Sequence, residues 1–236
     1  MLRTSPSEIP PSDCGRQPQR TSAVWDRAPV EERLNVLTHA VGFVLSLLGA
    51  AALAVTVLQH GDAWRIAGCM VYVASLVGVY AASTLSHSCR TPQRKVFFRA
   101  LDQAFIYLLI VATYTPFSLA YLRSGPWWLL LGAMWAVALF GFFAKLFFFH
   151  RVNAVSIWLY LALGWLPIVS ATALVGVVPA AALWWMLIGG ICYTLGTVFL
   201  IYDQCVLHFH ALWHVCVIAG STCHFLAILL FVAPVG

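Results

Sequence analysis

The sequence predicts an all-α protein, a seven-transmembrane helix bundle with a cytoplasmic N-terminus and the C-terminus outside. Three observations predict this class. Hydrophobic residues make up 62% of the 236 residues and charged residues only 9%, whereas soluble domains carry about 25% charged residues. Seven apolar stretches approach the roughly 20 residues that a helix needs to cross the hydrocarbon core of a bilayer. The cationic residues fall almost entirely on one side of these stretches.

Residues 1–30 differ in composition from the remainder of the chain. They are rich in Pro, Ser and Arg and contain no apolar run, so they lack the core of about 7–15 apolar residues that defines a signal peptide. We expect a disordered cytoplasmic tail over 1–30 and one seven-helix transmembrane domain over 31–236.

The seven membrane spans follow in order. The break between the fifth and the sixth span lacks a charged residue, but Gly176 and Pro179 provide a turn there. Pro116 and Pro167 are predicted to kink the third and fifth helices. The spans are predicted near 34–58, 65–86, 101–122, 127–148, 154–174, 181–202 and 210–233.

The distribution of positive charge predicts the orientation. Of thirteen Lys and Arg residues, eleven lie in the tail or on the same side of the predicted spans, and only Arg65 and Arg123 lie on the other side. Cationic residues stay on the cytoplasmic side of a membrane, so we expect the N-terminus in the cytoplasm and the C-terminus outside. We also expect a multi-pass protein of the cell membrane. This topology and anionic headgroups explain the arginines, and nothing in the sequence indicates nucleic-acid binding.

Histidines and one carboxylate gather at the cytoplasmic ends of three predicted helices. His87 ends the second helix, Asp102 begins the third, and His210 and His214 begin the seventh. His210 and His214 are four residues apart and share a helix face. This is the spacing by which one helix chelates zinc with two histidines. With His87 they form a predicted three-histidine Zn²⁺ site.

Two further residues give this site a possible chemistry. Three protein ligands leave one zinc position open for catalysis, and Asp102 is predicted to act there as general base. Ser83, one turn before His87, is predicted to hydrogen-bond inside the site. Each residue alone also has an ordinary explanation, because interfacial histidines are commonly solvated and an Asp at a helix start is commonly an N-cap.

Two other histidines are expected to lie apart from this set. His208 is roughly 240° around the helix from His214 and should point elsewhere. His224 lies about 15 Å further along the seventh helix, and we expect it to be hydrogen-bonded within the bundle.

Several segments in chain order resemble one known family. They include a Ser-x3-His, an LD-x3-I followed by TYTPF, and a final His-x3-His, in the segments EERLNVLTHAVG (31–42), STLSHS (83–88), LDQAFIYLLIVATYTPFSL (101–119), WLYLALGW (158–165), GGICYTLG (189–196) and HALWHVCVIAGSTCHF (210–225). This combination resembles the hemolysin III branch of the progestin and adipoQ receptor family. The resemblance implies a seven-helix bundle with the N-terminus in the cytoplasm.

For the site, the resemblance implies zinc held by His87, His210 and His214 near the cytoplasmic face, with Ser83 and Asp102 beside it. The related receptors and alkaline ceramidases are thought to hydrolyse lipid amides. A further family element, Glu-x2-Asn-x2-Thr-His, corresponds to the set Glu32, Asn35, Thr38 and His39, for which we expect a supporting polar network. Gln103 stands where the family commonly has His, which leaves the preceding Asp in place.

Three functions therefore stay open. The first is a zinc-dependent hydrolase acting on a membrane lipid such as ceramide or another N-acyl lipid. The second is a membrane receptor or regulator in which zinc is structural. The third is a pore-forming cytolysin, which ranks lower because a wide aqueous channel needs polar stripes along several helices. The sequence leaves the oligomeric state open.

Overall fold

The computed structural model describes residues 29–148, 155–203, 205–206 and 208–234. These residues are almost entirely helical, and a 3-10 segment, Leu166–Ser170, joins the fifth helix to the sixth. The helices are α1 (Pro29–His60), α2 (Ala63–Ser88), α3 (Pro92–Tyr121), α4 (Trp127–Phe147), α5 (Val155–Trp165), α6 (Ala171–Leu174), α7 (Ala180–Ile201) and α8 (Phe209–Phe231).

Among the described residues, seven helical segments are long and apolar enough to cross a membrane. Six of them are single helices, and the fifth, Ile157–Leu174, combines α5, the 3-10 segment and α6. The predicted all-α class and the seven spans are therefore confirmed. The chain is a multi-pass integral membrane protein.

The helices α1 and α3 begin earlier than their apolar runs predict. The third span was expected from residue 101, but α3 begins at Pro92, where proline favours the first helical position. Hydrophobicity marks the part of a helix that lies in lipid, and a polar first turn escapes that signal. Consequently Thr91 is the N-cap of α3, and Asp102 lies well inside the helix.

The tail predicted over 1–30 lies mostly outside the described residues. Residues 1–28 are not among them, and Pro29 and Val30 already belong to α1. The disordered state of 1–28 stays a prediction.

Proline and glycine shape the fifth and sixth spans as the sequence predicts. Helix α5 ends at Trp165, and Pro167 lies in the 3-10 segment that follows. The turn before α7 contains Gly176 at a φ of 96°, in the left-handed region that glycine adopts without strain. Pro116 lies inside α3, which continues from Pro92 to Tyr121, and the predicted kink there stays a prediction.

The helices that carry the histidines pack directly against one another. Helix α2 has the most buried span and packs on both α1 and α3, while α8 packs on both α7 and α1. The approach of α2 to α3 is close: a Cβ atom added at Gly68 would lie 2.9 Å from the Cα atom of Pro116. This arrangement brings α1, α2, α3 and α8 together.

An ion-pair cluster lies at the start of α2. Asp62 caps this helix by accepting a hydrogen bond from the backbone N–H of Arg65 at 2.9 Å. Its Oδ2 atom also lies 3.3 Å from Nη1 of Arg65 and 3.4 Å from Nη1 of Arg123. The backbone N–H of Arg65, together with both guanidinium charges, lowers the pKa of Asp62. Arg65 and Arg123, the two cationic residues predicted to lie outside, thus both pair with Asp62. The orientation of the bundle across the membrane stays a prediction.

Candidate metal centre

Three helices place one buried histidine each at a common point. His39 lies in the N-terminal third of α1, His87 in the last turn of α2, and His214 near the start of α8. Their exposed fractions are only 5%, 5% and 3%. Each ring offers a nitrogen atom, and these three atoms all lie within 4.8 Å of one another. Neutral imidazole nitrogens at such separations are suited to bind one transition-metal ion.

The rings of this histidine cluster contact one another closely. Nε2 of His39 lies 2.6 Å from Nδ1 of His214. The ring of His39 stacks on that of His87 with centroids 5.4 Å apart and planes at 12°. The rings of His87 and His214 meet edge to face at 5.3 Å. Two imidazole nitrogens 2.6 Å apart must share a proton or direct their lone pairs at a cation, since two bare lone pairs repel.

His210 lies beside the cluster and is held by a carboxylate. Its ring centroid is 4.3 Å from that of His214 and 5.4 Å from that of His87. Its Nδ1 atom lies 2.8 Å from Oδ2 of Asp203. The structure therefore assembles four imidazoles, and the three with the closest nitrogens include His39 and not His210. The predicted ligand set of His87, His210 and His214 stays a prediction.

Ser83 connects the histidine cluster to Asp102. Its Oγ atom lies 3.0 Å from Nε2 of His39, and its hydroxyl group lies close to the Asp102 carboxylate. Ser83 is 2% exposed, and Asp102 is half-buried. The structure thus places both predicted catalytic residues on the α2 and α3 side of the cluster, although their roles stay predictions.

The turn of α3 that carries Asp102 is held from two other helices. Nζ of Lys145, on α4, donates a hydrogen bond of 2.8 Å to Oε1 of Gln103. The hydroxyl group of Tyr160, on α5, donates to the backbone carbonyl of Gln103 at 2.7 Å. The glutamine at this position therefore anchors α3 next to the candidate base.

The predicted network in α1 is only partly present. Asn35 is fully buried, and neither its Nδ2 nor its Oδ1 atom has a hydrogen-bond partner. Nδ1 of His39, one turn later, also lacks a partner. The Thr38 hydroxyl instead donates to carbonyl groups of its own helix, and the Glu32 side chain lies outside the described residues. A buried unpartnered polar group costs about 1–3 kcal/mol, so this polar face of α1 is suited to a bound polar group.

The two remaining histidines of the last span have different outcomes. His208 is exposed and forms the N-cap of α8 with a left-handed φ of 67°, whereas the three rings of the histidine cluster are buried. His224 is buried, but its Nδ1 atom has no hydrogen-bond partner. The hydrogen bond expected for this ring is therefore absent at Nδ1. Its ring stacks on Tyr193 at 5.5 Å and packs where Gly189 leaves room.

Sequence reasoning missed two residues at this centre. His39 was assigned only to a supporting network, yet its position four residues after the buried Asn35 indicates a shared polar face of an apolar helix. Asp203 was not among the predicted site residues. Its position shortly before His210, in an otherwise uncharged region, is the signal that indicates a partner for that histidine.

Known proteins match this chain over most of its length. A family model described as "Haemolysin-III related" matches residues 28–225. Hemolysin-3 of Bacillus cereus is 36% identical over 204 residues, covering 86% of this chain and 93% of the relative. The Hemolysin-3 homolog of Bacillus subtilis (strain 168) is 35% identical over 205 residues, covering 87% and 96%.

A mammalian protein is similar over nearly the same length. The human monocyte to macrophage differentiation factor is 27% identical over 209 residues, covering 84% of this chain and 83% of the relative. The family match extends from before α1 to Phe225 in α8 and so includes every residue of the histidine cluster. The chain belongs to the haemolysin III-related family of integral membrane proteins.

Proposed function

We propose that the chain binds one Zn²⁺ ion at the histidine cluster and hydrolyses an amide bond of a membrane lipid, such as ceramide or another N-acyl lipid. One observation carries this proposal. Imidazoles from α1, α2 and α8 bring three nitrogen atoms within 4.8 Å of one another, and Ser83 links this cluster to a carboxylate at Asp102.

The donor set fits zinc better than a hard cation. Imidazole suits Zn²⁺, Cu²⁺, Fe²⁺ and Ni²⁺, whereas Mg²⁺ and Ca²⁺ require mainly oxygen ligands. His87 and His214 belong to both possible ligand sets, and the third imidazole comes from His210 or His39. Three ligands leave room for catalysis, whereas four histidines would close the tetrahedral coordination of zinc.

Bound Zn²⁺ would supply Lewis acidity, which polarises a carbonyl group and lowers the pKa of water. In the proposed reaction, an Asp102 carboxylate oxygen takes a proton from the attacking water and delivers it to the amide nitrogen as the C–N bond breaks. The products are a free fatty acid and an amine. The Ser83 hydroxyl orients the Asp102 carboxylate through their mutual contact.

A membrane receptor or regulator with a structural metal is the second candidate. The histidine cluster joins α1 and α2 to α8, and all three rings are buried. A metal that clamps these helices would convert its binding free energy into folding free energy. In that case metal removal would lower stability without any catalytic consequence.

A cytolysin is the third candidate, as the names of the two bacterial relatives suggest. Many large apolar side chains are exposed along the described helices, as expected for a lipid-facing surface. A wide aqueous pore would need polar stripes along several helices. Leakage of liposomes caused by the purified protein below detergent-artefact concentrations would raise this candidate above the others.

The test of the hydrolase uses full-length protein in lipid nanodiscs. Zinc-loaded and chelator-treated protein are incubated with a set of ceramides and other N-acyl lipids, and released fatty acid is measured by mass spectrometry. We expect release that depends on zinc and disappears in Asp102→Asn, with Asp62→Asn as a control at the start of α2. Zinc-loaded protein that releases no fatty acid from any of these lipids would overturn the hydrolase and favour the structural metal.

A further inference from the structure

A carboxylate outside the predicted site contacts one of its histidines. Oδ2 of Asp203 lies 2.8 Å from Nδ1 of His210. The two side chains are only 6% and 14% exposed, respectively. The pair spans the short connection between α7, which ends at Ile201, and α8, which begins at Phe209.

We propose that Asp203 is a positioning residue of the metal centre: its carboxylate accepts the Nδ1 proton of His210 and makes Nε2 of that ring the metal-binding nitrogen. This inference rests on the proposed function, because it requires a metal ion at the cluster. It also selects His210, and not His39, as the third ligand.

The tautomer of the ring is the first physical reason. A carboxylate only accepts hydrogen bonds, so Nδ1 of His210 carries the proton. In a neutral imidazole the other nitrogen, Nε2, then holds the lone pair. Metal-binding histidines almost always donate their second N–H group to a carboxylate, a carbonyl oxygen or water, and this contact fixes the ring and raises its basicity.

The position of the ring is the second reason. His210 already lies against two members of the cluster, with centroids 4.3 Å from His214 and 5.4 Å from His87. The hydrogen bond to Asp203 restricts rotation of this ring about its side-chain bonds. His39 is engaged differently, because its Nε2 atom is within hydrogen-bonding distance of Ser83 and His214.

A purely electrostatic role is the competing explanation for Asp203. A negative charge before the first turn of α8 interacts favourably with the helix dipole. Such a role would affect the stability of α8 and would be independent of the His210 ring. A measurement on His210 variants therefore separates the two explanations.

The experiment measures Zn²⁺ affinity of the full-length protein by competition with a chromophoric chelator. We expect Asp203→Asn to weaken zinc binding by about 10- to 100-fold. Asp203→Glu, which keeps a carboxylate acceptor and the charge, should recover most of this loss. Asp62→Asn is the matched control, since Asp62 pairs with Arg65 and Arg123, and its zinc affinity should equal that of the unaltered protein.

A double-mutant comparison completes the test. Asp203→Asn should have no further effect on zinc affinity in a His210→Ala background, and its full effect in a His39→Ala background. An equal loss in the His210→Ala background, or affinity unchanged within twofold in Asp203→Asn alone, would overturn the assignment while the metal centre stands. Unaltered protein that binds no zinc would overturn the proposed function and this assignment together.

Discussion

Nε2 of His39 lies 2.6 Å from Nδ1 of His214, although 175 residues separate the two histidines. This contact joins the first membrane helix to the last one, and both rings are nearly inaccessible to solvent. A pair of buried imidazoles is costly in an apolar bundle unless hydrogen bonds or a metal satisfy their nitrogen atoms. The contact therefore lies at the centre of the histidine cluster.

Substitution of the two candidate third ligands should have unequal effects. His210→Ala should reduce bound zinc well below one per chain, because it removes a ligand. His39→Ala should retain one zinc per chain with affinity weaker by about tenfold, because it removes only a neighbour of His214 and Ser83. Metal analysis after gel filtration checks both variants. Full zinc in His210→Ala combined with loss of zinc in His39→Ala would make His39 the third ligand.

Asp102→Asn should separate metal binding from chemistry. The amide keeps the size of the carboxyl group but cannot take a proton, so hydrolysis should fall by about 10²- to 10⁴-fold. Bound zinc should stay close to one per chain, since Asp102 is not proposed as a ligand. Initial rates of fatty-acid release and metal content are measured on the same preparation. Loss of zinc in this variant would instead identify Asp102 as a ligand.

Zinc should also stabilise the folded bundle. A ligand that binds only the native state at 100 times its Kd adds about 2.7 kcal/mol to the free energy of unfolding. The melting temperature of chelator-treated protein should therefore rise when Zn²⁺ is added and should not rise with Mg²⁺. His87→Ala should abolish this rise. An equal response to both cations would point to a non-specific effect.

Much of the fold could be predicted from the sequence because the bilayer imposes a strict length. Each span needs about 20 apolar residues, and helix direction alone places His87 and His214 at one end of the bundle. The polar start of α3 at Pro92 was missed because it lies outside the apolar run that gives the signal.

The composition of the cluster was harder to predict. Whether His39 faces the other histidines depends on the rotation of α1 about its axis, and an apolar surface all round leaves that rotation unspecified. The contact of Asp203 with His210 joins a residue beyond the end of α7 to the first turn of α8, and no helical periodicity relates the two positions. Tertiary packing supplies both pieces of information.

The close packing of α2 on α3 predicts an unequal effect of two glycine substitutions. In Gly68→Ala, the new Cβ atom would lie 2.9 Å from the Pro116 backbone, and such overpacking costs about 1–3 kcal/mol. In Gly132→Ala, no atom beyond the adjoining backbone of α4 lies within 4 Å of the new Cβ, and alanine favours the helix by up to about 1 kcal/mol.

Thermal unfolding in the same detergent compares the two variants with the unaltered protein. Gly68→Ala should lower the melting temperature, and Gly132→Ala should leave it unchanged or raise it slightly. Equal melting temperatures for the two variants would contradict the close approach of Gly68 on α2 to Pro116 on α3.

The metal content of the purified full-length protein is the most direct measurement. Elemental analysis of the unaltered chain, of His87→Ala and of the control Asp62→Asn should give about one zinc per chain in the first and third samples. His87→Ala should retain almost none, because His87 belongs to both possible ligand sets. A zinc-free unaltered protein that stays zinc-free after addition of Zn²⁺, or equal zinc in all three samples, would contradict a metal centre at the histidine cluster.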